Sequence, residues 1–204
     1  RMRSALEIGG YSSERLAMEI YQIVRVFRNG EEVKMSKRTG KAITHRELVK
    51  EVGVDAVRYF FIDKAPGSHL DFNYDLATSK SKDNPVYYSQ YAHARCVSLL
   101  NLGNDIALDT SLTGVSSKKE SEILKHLAAY PSMIDSAAKI RAPYKVTAYV
   151  EELAALVHEY YAATKIIDRT DLAGSGARLA LIKACQIVLR NALTLIGVSA
   201  PDKM

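Results

Sequence analysis

Two lysines three residues apart, Lys34 and Lys37, stand in the string Lys34-Met35-Ser36-Lys37-Arg38-Thr39-Gly40-Lys41. A hydroxyl lies between them at Ser36 and a glycine hinge behind them at Gly40. Ammonium groups on such a loop can follow the shifting charge of a triphosphate as pyrophosphate leaves. A donor that strengthens only in the transition state contributes roughly 10²–10³ in rate. The same residues also read as a solvated basic turn or a localisation-type basic run, and the string alone leaves these alternatives open.

A second set of residues is aromatic and basic. Tyr87, Tyr88 and Tyr91, with His93 and Arg95, could stack on bases or hold phosphates. Tyr87, Tyr91 and Ala94 also share one helical face and could simply pack. In His158-Glu159-Tyr160-Tyr161, neighbours on a helix point about 100° apart, so one tyrosine can be buried while the other meets a base. His158 has no partner at metal or catalytic spacing and reads as a polar surface residue; no metal site is expected. Arg141, Lys145, Arg178, Lys183 and Arg190 form a group of candidate phosphate contacts, which position a nucleic acid without reading its sequence. Scattered over a bundle, they read equally as a solvated face.

The elements that must carry these residues change character near residue 80. Before it, residues 16–27 (LAMEIYQIVRVF) are rich in branched and aromatic side chains, as in a buried strand. They run into Asn29-Gly30, a strong hairpin signal, and a short returning strand from Glu31. Thr44 and Glu47 have capping-box spacing for a helix ending at Gly53, and Asp55 is placed to cap the next, which turns Val57, Phe60 and Phe61 inward. After the polar stretch 80–83, Asn84-Pro85 opens a helix expected to reach about Leu102 and stop at Gly103. Helices are predicted at about 119–129 and 132–141, separated by Pro131. Two longer ones follow at 144–168 and 177–196, each with apolar residues at three-and-four spacing. The fold class is mainly α, and the second part is an antiparallel helical bundle.

Composition sets bounds on this reading. Of 204 residues, 48% are hydrophobic and 25% charged, which excludes a disordered or fibrous chain. No uninterrupted apolar run approaches the roughly 18–20 residues that cross a bilayer, so no membrane partner is expected. The opening Arg1-Met2-Arg3-Ser4-Ala5-Leu6-Glu7 has no signal-peptide core and no initial Met, and the chain is expected to be a piece of something longer. Cys96 and Cys185 sit in apolar helical patterns, as buried thiols of a reducing, cytoplasmic compartment would. A net charge of +5 favours polyanions only mildly.

The basic string resembles the KMSKS loop of class I aminoacyl-tRNA synthetases, with Arg38 where that loop ends in Ser. Its setting after a strand and hairpin, and before a helix, is similar too. Val54-Asp55-Ala56-Val57-Arg58-Tyr59-Phe60-Phe61, Ser68-His69-Leu70-Asp71-Phe72 and Asn84-Pro85-Val86-Tyr87-Tyr88-Ser89-Gln90-Tyr91-Ala92-His93-Ala94-Arg95 resemble the arginine-specific branch. The stretch from Ala177-Arg178-Leu179-Ala180-Leu181 through Gly197-Val198-Ser199-Ala200-Pro201 resembles the DALR anticodon-binding domain. The likeness runs in order along essentially the whole chain.

This resemblance implies the C-terminal end of a Rossmann-type α/β catalytic domain over residues 1–80, with the KMSKS loop and a stem-contact region. A DALR-type antiparallel helical-bundle anticodon-binding domain would follow over 81–204. Lys34, Met35, Ser36 and Lys37 would bind ATP, with Lys34 and Lys37 catalytic and Lys37 the more important for pyrophosphate departure. Tyr161 and Met204 would meet the anticodon loop, and Arg95 and Arg178 the RNA backbone. The implied reaction makes arginyl-adenylate from arginine and Mg-ATP, then passes the arginyl group to tRNA(Arg); ATP and Mg²⁺ are the implied cofactors. Partners would be tRNA(Arg), ATP and arginine, and the protein a monomer.

The sequence has no His-Ile-Gly-His signature and no plausible arginine pocket, so the isolated polypeptide is expected to be inactive. Alternatives are a non-catalytic tRNA- or RNA-binding helical module, which the retained lysines argue against, a synthetase of cysteine or methionine specificity, and a protein-interaction scaffold.

Overall fold

The computed structural model describes residues 1–33, 44–112 and 114–204. The chain begins with helix α1 (Met2–Ile8) and a short 3₁₀ turn at Ser13–Arg15. Strand β1 is Val24–Arg28, shorter and later than the strand predicted over 16–27. Residues 16–23 have no regular structure, and Met18, Ile20, Tyr21 and Ile23 are exposed. The reason is partnership, since branched residues make a strand only where a ladder satisfies their backbone groups. Partners begin at Val24. The Asn29-Gly30 turn, with φ of 52° and 78°, returns the chain into β2 (Glu31–Glu32), as the two positive-φ positions of a tight hairpin require. On its other side β1 runs parallel to β3 (Leu70–Asn73), in register Val24↔Leu70 to Phe27↔Asn73.

Helix α2 (His45–Val52) starts with the expected capping box. Thr44 Oγ1 accepts from the Glu47 N–H at 3.2 Å, and the Glu47 carboxylate accepts from the Thr44 N–H at 2.7 Å. It ends at Gly53, whose φ of 93° suits glycine. Helix α3 (Val54–Ile62) follows at once, with Gly53 and not Asp55 as its N-cap; Asp55 makes no capping bond. Val57 is buried inward as expected, but Phe61 is mostly at the surface, and Tyr59 is the residue of this helix that is fully enclosed. Phe60 and Phe61 lie 5.6 and 5.8 Å from the buried Phe72 ring. A short helix α4 (Tyr74–Thr78) leads to the bundle.

Four long helices form that bundle: α5 (Pro85–Leu102), α6 (Lys118–Lys139), α7 (Tyr144–Ala163) and α8 (Leu172–Leu195). Asn84 caps α5 with Pro85 in its first turn, and Gly103 ends it. Gly103 also lets α8 approach, because a Cβ there would lie 2.6 Å from Leu179. The two helices predicted around Pro131 are one continuous α6, with Pro131 inside it. A capping box from Ser117 to Glu120 and burial of Ile123 and Ala137 outweigh the one backbone bond that proline forfeits. Helix α7 stops at Ala163, short of the expected 168, and α8 starts at Leu172 because Asp171 caps it through the Gly174 N–H at 2.9 Å. By length and composition α8 could cross a bilayer, but it is the core helix here, burying Leu179, Leu181, Ile182, Leu189 and Leu193. Cys96 and Cys185 are buried free thiols, as expected; burial pushes Cys96 up to about 12.

Candidate nucleic-acid interface

The predicted phosphate-chemistry residues Lys34, Met35, Ser36 and Lys37 lie outside the described residues. The aromatic and basic set lies within them, and its geometry begins with the C-terminal tail.

Helix α8 ends against Gly197, whose φ is 71° and whose missing Cβ leaves room for the Arg58 guanidinium. Arg58 Nε donates to the Ile196 carbonyl at 3.1 Å. Two residues on, Asp55 accepts from the Ser199 N–H at 3.1 Å and from the Ser199 hydroxyl, while Gln90 Nε2 donates to Asp55 at 2.8 Å and to the Ser199 carbonyl at 3.0 Å. His93 Nδ1–H donates to the Pro201 carbonyl at 2.9 Å, leaving Nε2 to accept from Gln186 of α8 at 2.9 Å. Arg190 then pairs with Asp202 at 3.2 Å. The clamps come from α3, α5 and α8, and together they carry Lys203 and Met204 to the outer face of α5.

There the tail meets Tyr91 and Arg95, one turn apart on α5, and Tyr161, which α7 packs against them. Tyr160 is fully buried and donates to the Glu120 carboxylate at 2.6 Å, so Tyr161 must face outward; it is 43% exposed. The Arg95 guanidinium lies over the Tyr161 ring at 4.2 Å and over the Tyr91 ring at 4.6 Å, each to the centroid. It donates to His158 Nδ1 and to the Tyr91 hydroxyl, both at 3.0 Å. Tyr91, Arg95, Leu102, Tyr161, Lys203 and Met204 line a cleft of about 440 Å³. Met204, 51% exposed, also borders a neighbouring cleft of about 510 Å³ beside Asn84, Tyr87 and Gln90. An exposed ring, a second ring stacked nearby, an arginine and a lysine are the parts of a stacking platform for single-stranded bases with an anion-attracting rim.

Three of the four predicted RNA contacts, Arg95, Tyr161 and Met204, thus share one cleft. Arg178 is elsewhere: it donates to the Ile166 carbonyl at 3.0 Å and pairs with Asp171, with its side chain only 15% exposed, so it ties the α7–α8 connection together. The other basic candidates also have protein partners: Arg141 with Glu19, Lys145 with Ser136, Lys183 with Gln186 and Arg190 with Asp202. His158, read as a polar surface residue, is half-buried and bonded at both nitrogens, since Nε2–H donates to the Tyr88 carbonyl at 3.1 Å. Sequence reasoning missed Asp55, Arg58, Gln90 and Gln186 as holders of the tail. Their only signal was membership of the strings Val54–Phe61 and Asn84–Arg95 and, for Gln186, of the stretch from Ala177 through Pro201, whose long-range partners no local pattern specifies.

Burial, above all, lowers the affinity of both His93 and His158 for a proton; nearby Arg190 and Lys183 act in the same sense on His93, and Arg95 on His158. Both are therefore neutral, each with a tautomer fixed by its carbonyl partner. Burial alone would raise the Glu120 carboxyl, but its bonds from Tyr160 and from Ser117 and Ser116 outweigh this and hold it below the usual range.

Comparison with known families and proteins gives a consistent result. Residues 89–204 match the DALR anticodon binding domain, and residues 10–92 match tRNA synthetases class I (M). An arginine-tRNA ligase of Bacillus licheniformis is 50% identical over 208 residues, and that of Bacillus subtilis (strain 168) is likewise 50% identical. Each match covers all of this chain but only 37% of the relative, so the chain spans just over a third of their length. Among solved structures, one from Campylobacter jejuni, provisionally named an arginyl-tRNA synthetase, superposes with a TM-score of 0.88 at 28% identity, over 100% of this chain and 44% of the other. The Thermus thermophilus arginyl-tRNA synthetase shares the fold, with a TM-score of 0.74 at 24% identity over 99% of this chain and 38% of the other.

Proposed function

Since the chain belongs to the DALR anticodon binding domain family, we propose that it acts within an arginine-tRNA ligase, supplying the KMSKS loop for ATP and the helical surface that holds tRNA(Arg). Residues 1–80 would be the end of the catalytic domain and 81–204 the anticodon-binding bundle. The observation that carries the second role is the cleft in which Arg95, Tyr161 and Met204 converge on a tail clamped at four places. Tyr161 would stack on an anticodon-loop base, Met204 would pack beside it, and Arg95 and Lys203 would attract the flanking phosphates.

In the first role, Lys34 and Lys37 would hold the triphosphate of Mg-ATP while the arginine carboxylate attacks the α-phosphorus. Pyrophosphate leaves, and arginyl-adenylate remains. Lys37 would neutralise the charge that gathers on the departing group, Ser36 would brace the loop, and the Met35 backbone would face the adenine. The 2′-hydroxyl of the terminal tRNA adenosine then attacks the mixed anhydride, taking the arginyl group and releasing AMP. The donor set, two ammonium groups and a hydroxyl, suits phosphate oxygens. Since this sequence has neither the His-Ile-Gly-His signature nor an arginine pocket, the 204-residue chain by itself would not catalyse arginine-dependent pyrophosphate exchange. Measured exchange above background by the pure chain would reject that. The protein would be a cytoplasmic monomer; the reducing compartment fits its two buried free thiols.

The decisive experiment is binding of a tRNA(Arg) transcript and an unrelated tRNA by the pure chain at about 0.05 M and 0.2 M salt, the interval over which phosphate contacts weaken most visibly. A preference for tRNA(Arg) that survives the higher salt, and falls about tenfold in Tyr161→Ala, is expected from a stacking contact. Equal binding of both RNAs that collapses with salt would leave only a basic helical surface.

A further inference from the structure

We infer that His158 is a positioning residue of this interface: its neutral ring, through Nδ1, holds the Arg95 guanidinium between the Tyr91 and Tyr161 rings and so keeps Tyr161 set for a base. The inference rests on the reading of that cleft as RNA-binding, and goes beyond it by giving the cleft an internal orienting group.

A guanidinium has only donors and is usually fixed in place by a carboxylate. Among the described residues no carboxylate pairs with Arg95; Glu159, which follows His158 on α7, is bonded to Lys119 of α6 at 2.9 Å. The acceptor is instead the imidazole, at 3.0 Å. The difference matters chemically. A carboxylate would orient the arginine and cancel its charge, whereas a neutral imidazole orients it and leaves the full positive charge for phosphate. The ring is itself fixed. Its Nε2–H donates to the Tyr88 carbonyl at 3.1 Å, and it stacks on Tyr91 with centroids 5.6 Å apart and planes 26° apart. It cannot turn without losing both contacts.

The arrangement works with one protonation state. A second proton on the imidazole would sit on Nδ1, pointing at a cation that has no lone pair to offer. The groups facing the ring are Tyr88, Tyr91 and Arg95 from α5; α6 sends Lys119 only to Glu159, and α8 sends Arg178 toward Tyr160 on the buried side. Burial and Arg95 both disfavour the charged imidazole. Below the ordinary histidine range, protonation therefore releases Arg95 from its place between the rings.

The test measures the ratio of affinities for a tRNA(Arg) transcript and an unrelated tRNA, at fixed salt, at pH 7.5 and pH 5.0. Taking the ratio cancels the general attraction that any added positive charge brings. For the wild type, the ratio is expected to fall about three- to tenfold at the lower pH, a fraction of one good stacking contact. His158→Asn offers an acceptor that cannot be protonated; it should keep the pH 7.5 ratio within about twofold and show a smaller fall at pH 5.0 than the wild type. His158→Leu should show the reduced ratio, about three- to tenfold down, at both pH values. Protonation of His93 loosens the tail in all three proteins alike, so the difference between wild type and His158→Asn isolates His158. A wild-type ratio in His158→Leu, or an undiminished pH dependence in His158→Asn, overturns the inference. Should His158→Leu fail to fold by circular dichroism, the pH profile of His158→Asn still decides. If Tyr161→Ala leaves the ratio unchanged, the RNA-binding reading itself fails and the inference with it; if that variant lowers the ratio and His158→Leu does not, only the inference fails.

Discussion

At the scale of single residues, the proposed interface depends on side chains chosen as much for shape as for charge. Tyr160 and Tyr161 are neighbours with opposite fates: the first is sealed in the core with its hydroxyl on Glu120, which obliges the second to face the cleft. Gly197 is the same kind of determinant in the backbone. Its φ of 71° is a conformation that costs an L side chain about 1 kcal/mol or more, and any Cβ there meets the guanidinium that binds the Ile196 carbonyl. Gly197→Ala should therefore lower the unfolding free energy by about 1–3 kcal/mol, the usual span for a strained backbone site. Urea denaturation checks it; an unchanged midpoint would mean that the tail's turn is not held as described.

At the scale of elements, α5 is the connector. Its inner face, with Ala92, Cys96 and Leu99, packs in the core. Its polar residues Gln90 and His93 reach the tail, and its outer Tyr91 and Arg95 form the cleft wall. Helix α6 shows a different economy. Pro131 inside it has no N–H to give the Leu127 carbonyl, yet the helix continues, held by its capping box and by packing against α7. Replacing Pro131 with Ala restores that bond and should raise stability by about 1–2 kcal/mol, less than the full helix-interior penalty because proline also stiffens the unfolded chain. Thermal unfolding followed at 222 nm would measure it, and a lower midpoint would count against a tolerated defect.

At the scale of the whole molecule, two neutral histidines join distant parts. His93 links α5 to the tail and α8, and His158 links α7 to α5. Both take up protons less readily in the folded chain than an ordinary histidine does. The unfolded chain thus binds more protons wherever the two states differ, and stability rises with pH in that interval. The histidine contribution is fully present above about pH 6.5, the unfolded value, and is lost as pH falls through the lower folded values. Denaturant midpoints at fixed salt should accordingly drop between pH 7.5 and 5.0. The Glu120 carboxyl, held below its usual range, adds a second loss only at still lower pH. A flat profile down to pH 5.0 would mean that the tail and α7 are not fastened by neutral imidazoles.

Much of this protein was legible locally. The Asn29-Gly30 hairpin, the Thr44–Glu47 capping box, the Asn84-Pro85 helix start and the outward turn of one tyrosine in Tyr160-Tyr161 each depend on residues within a few positions of one another, where backbone sterics and helical pitch suffice. Arg95, Tyr161 and Met204 were each legible as candidates. That they meet in one cleft was not, because 66 residues separate the first pair and 43 the second, by subtraction of their positions. Asp55 reads as a helix cap at short range but anchors Ser199, and residues 16–23 read as strand but lie beside no strand among the described residues. Local sequence sets what a residue can bond to. Which bond it makes is decided by the packing of the bundle, which brings donors to acceptors more than a hundred positions away and excludes the water that would otherwise satisfy them.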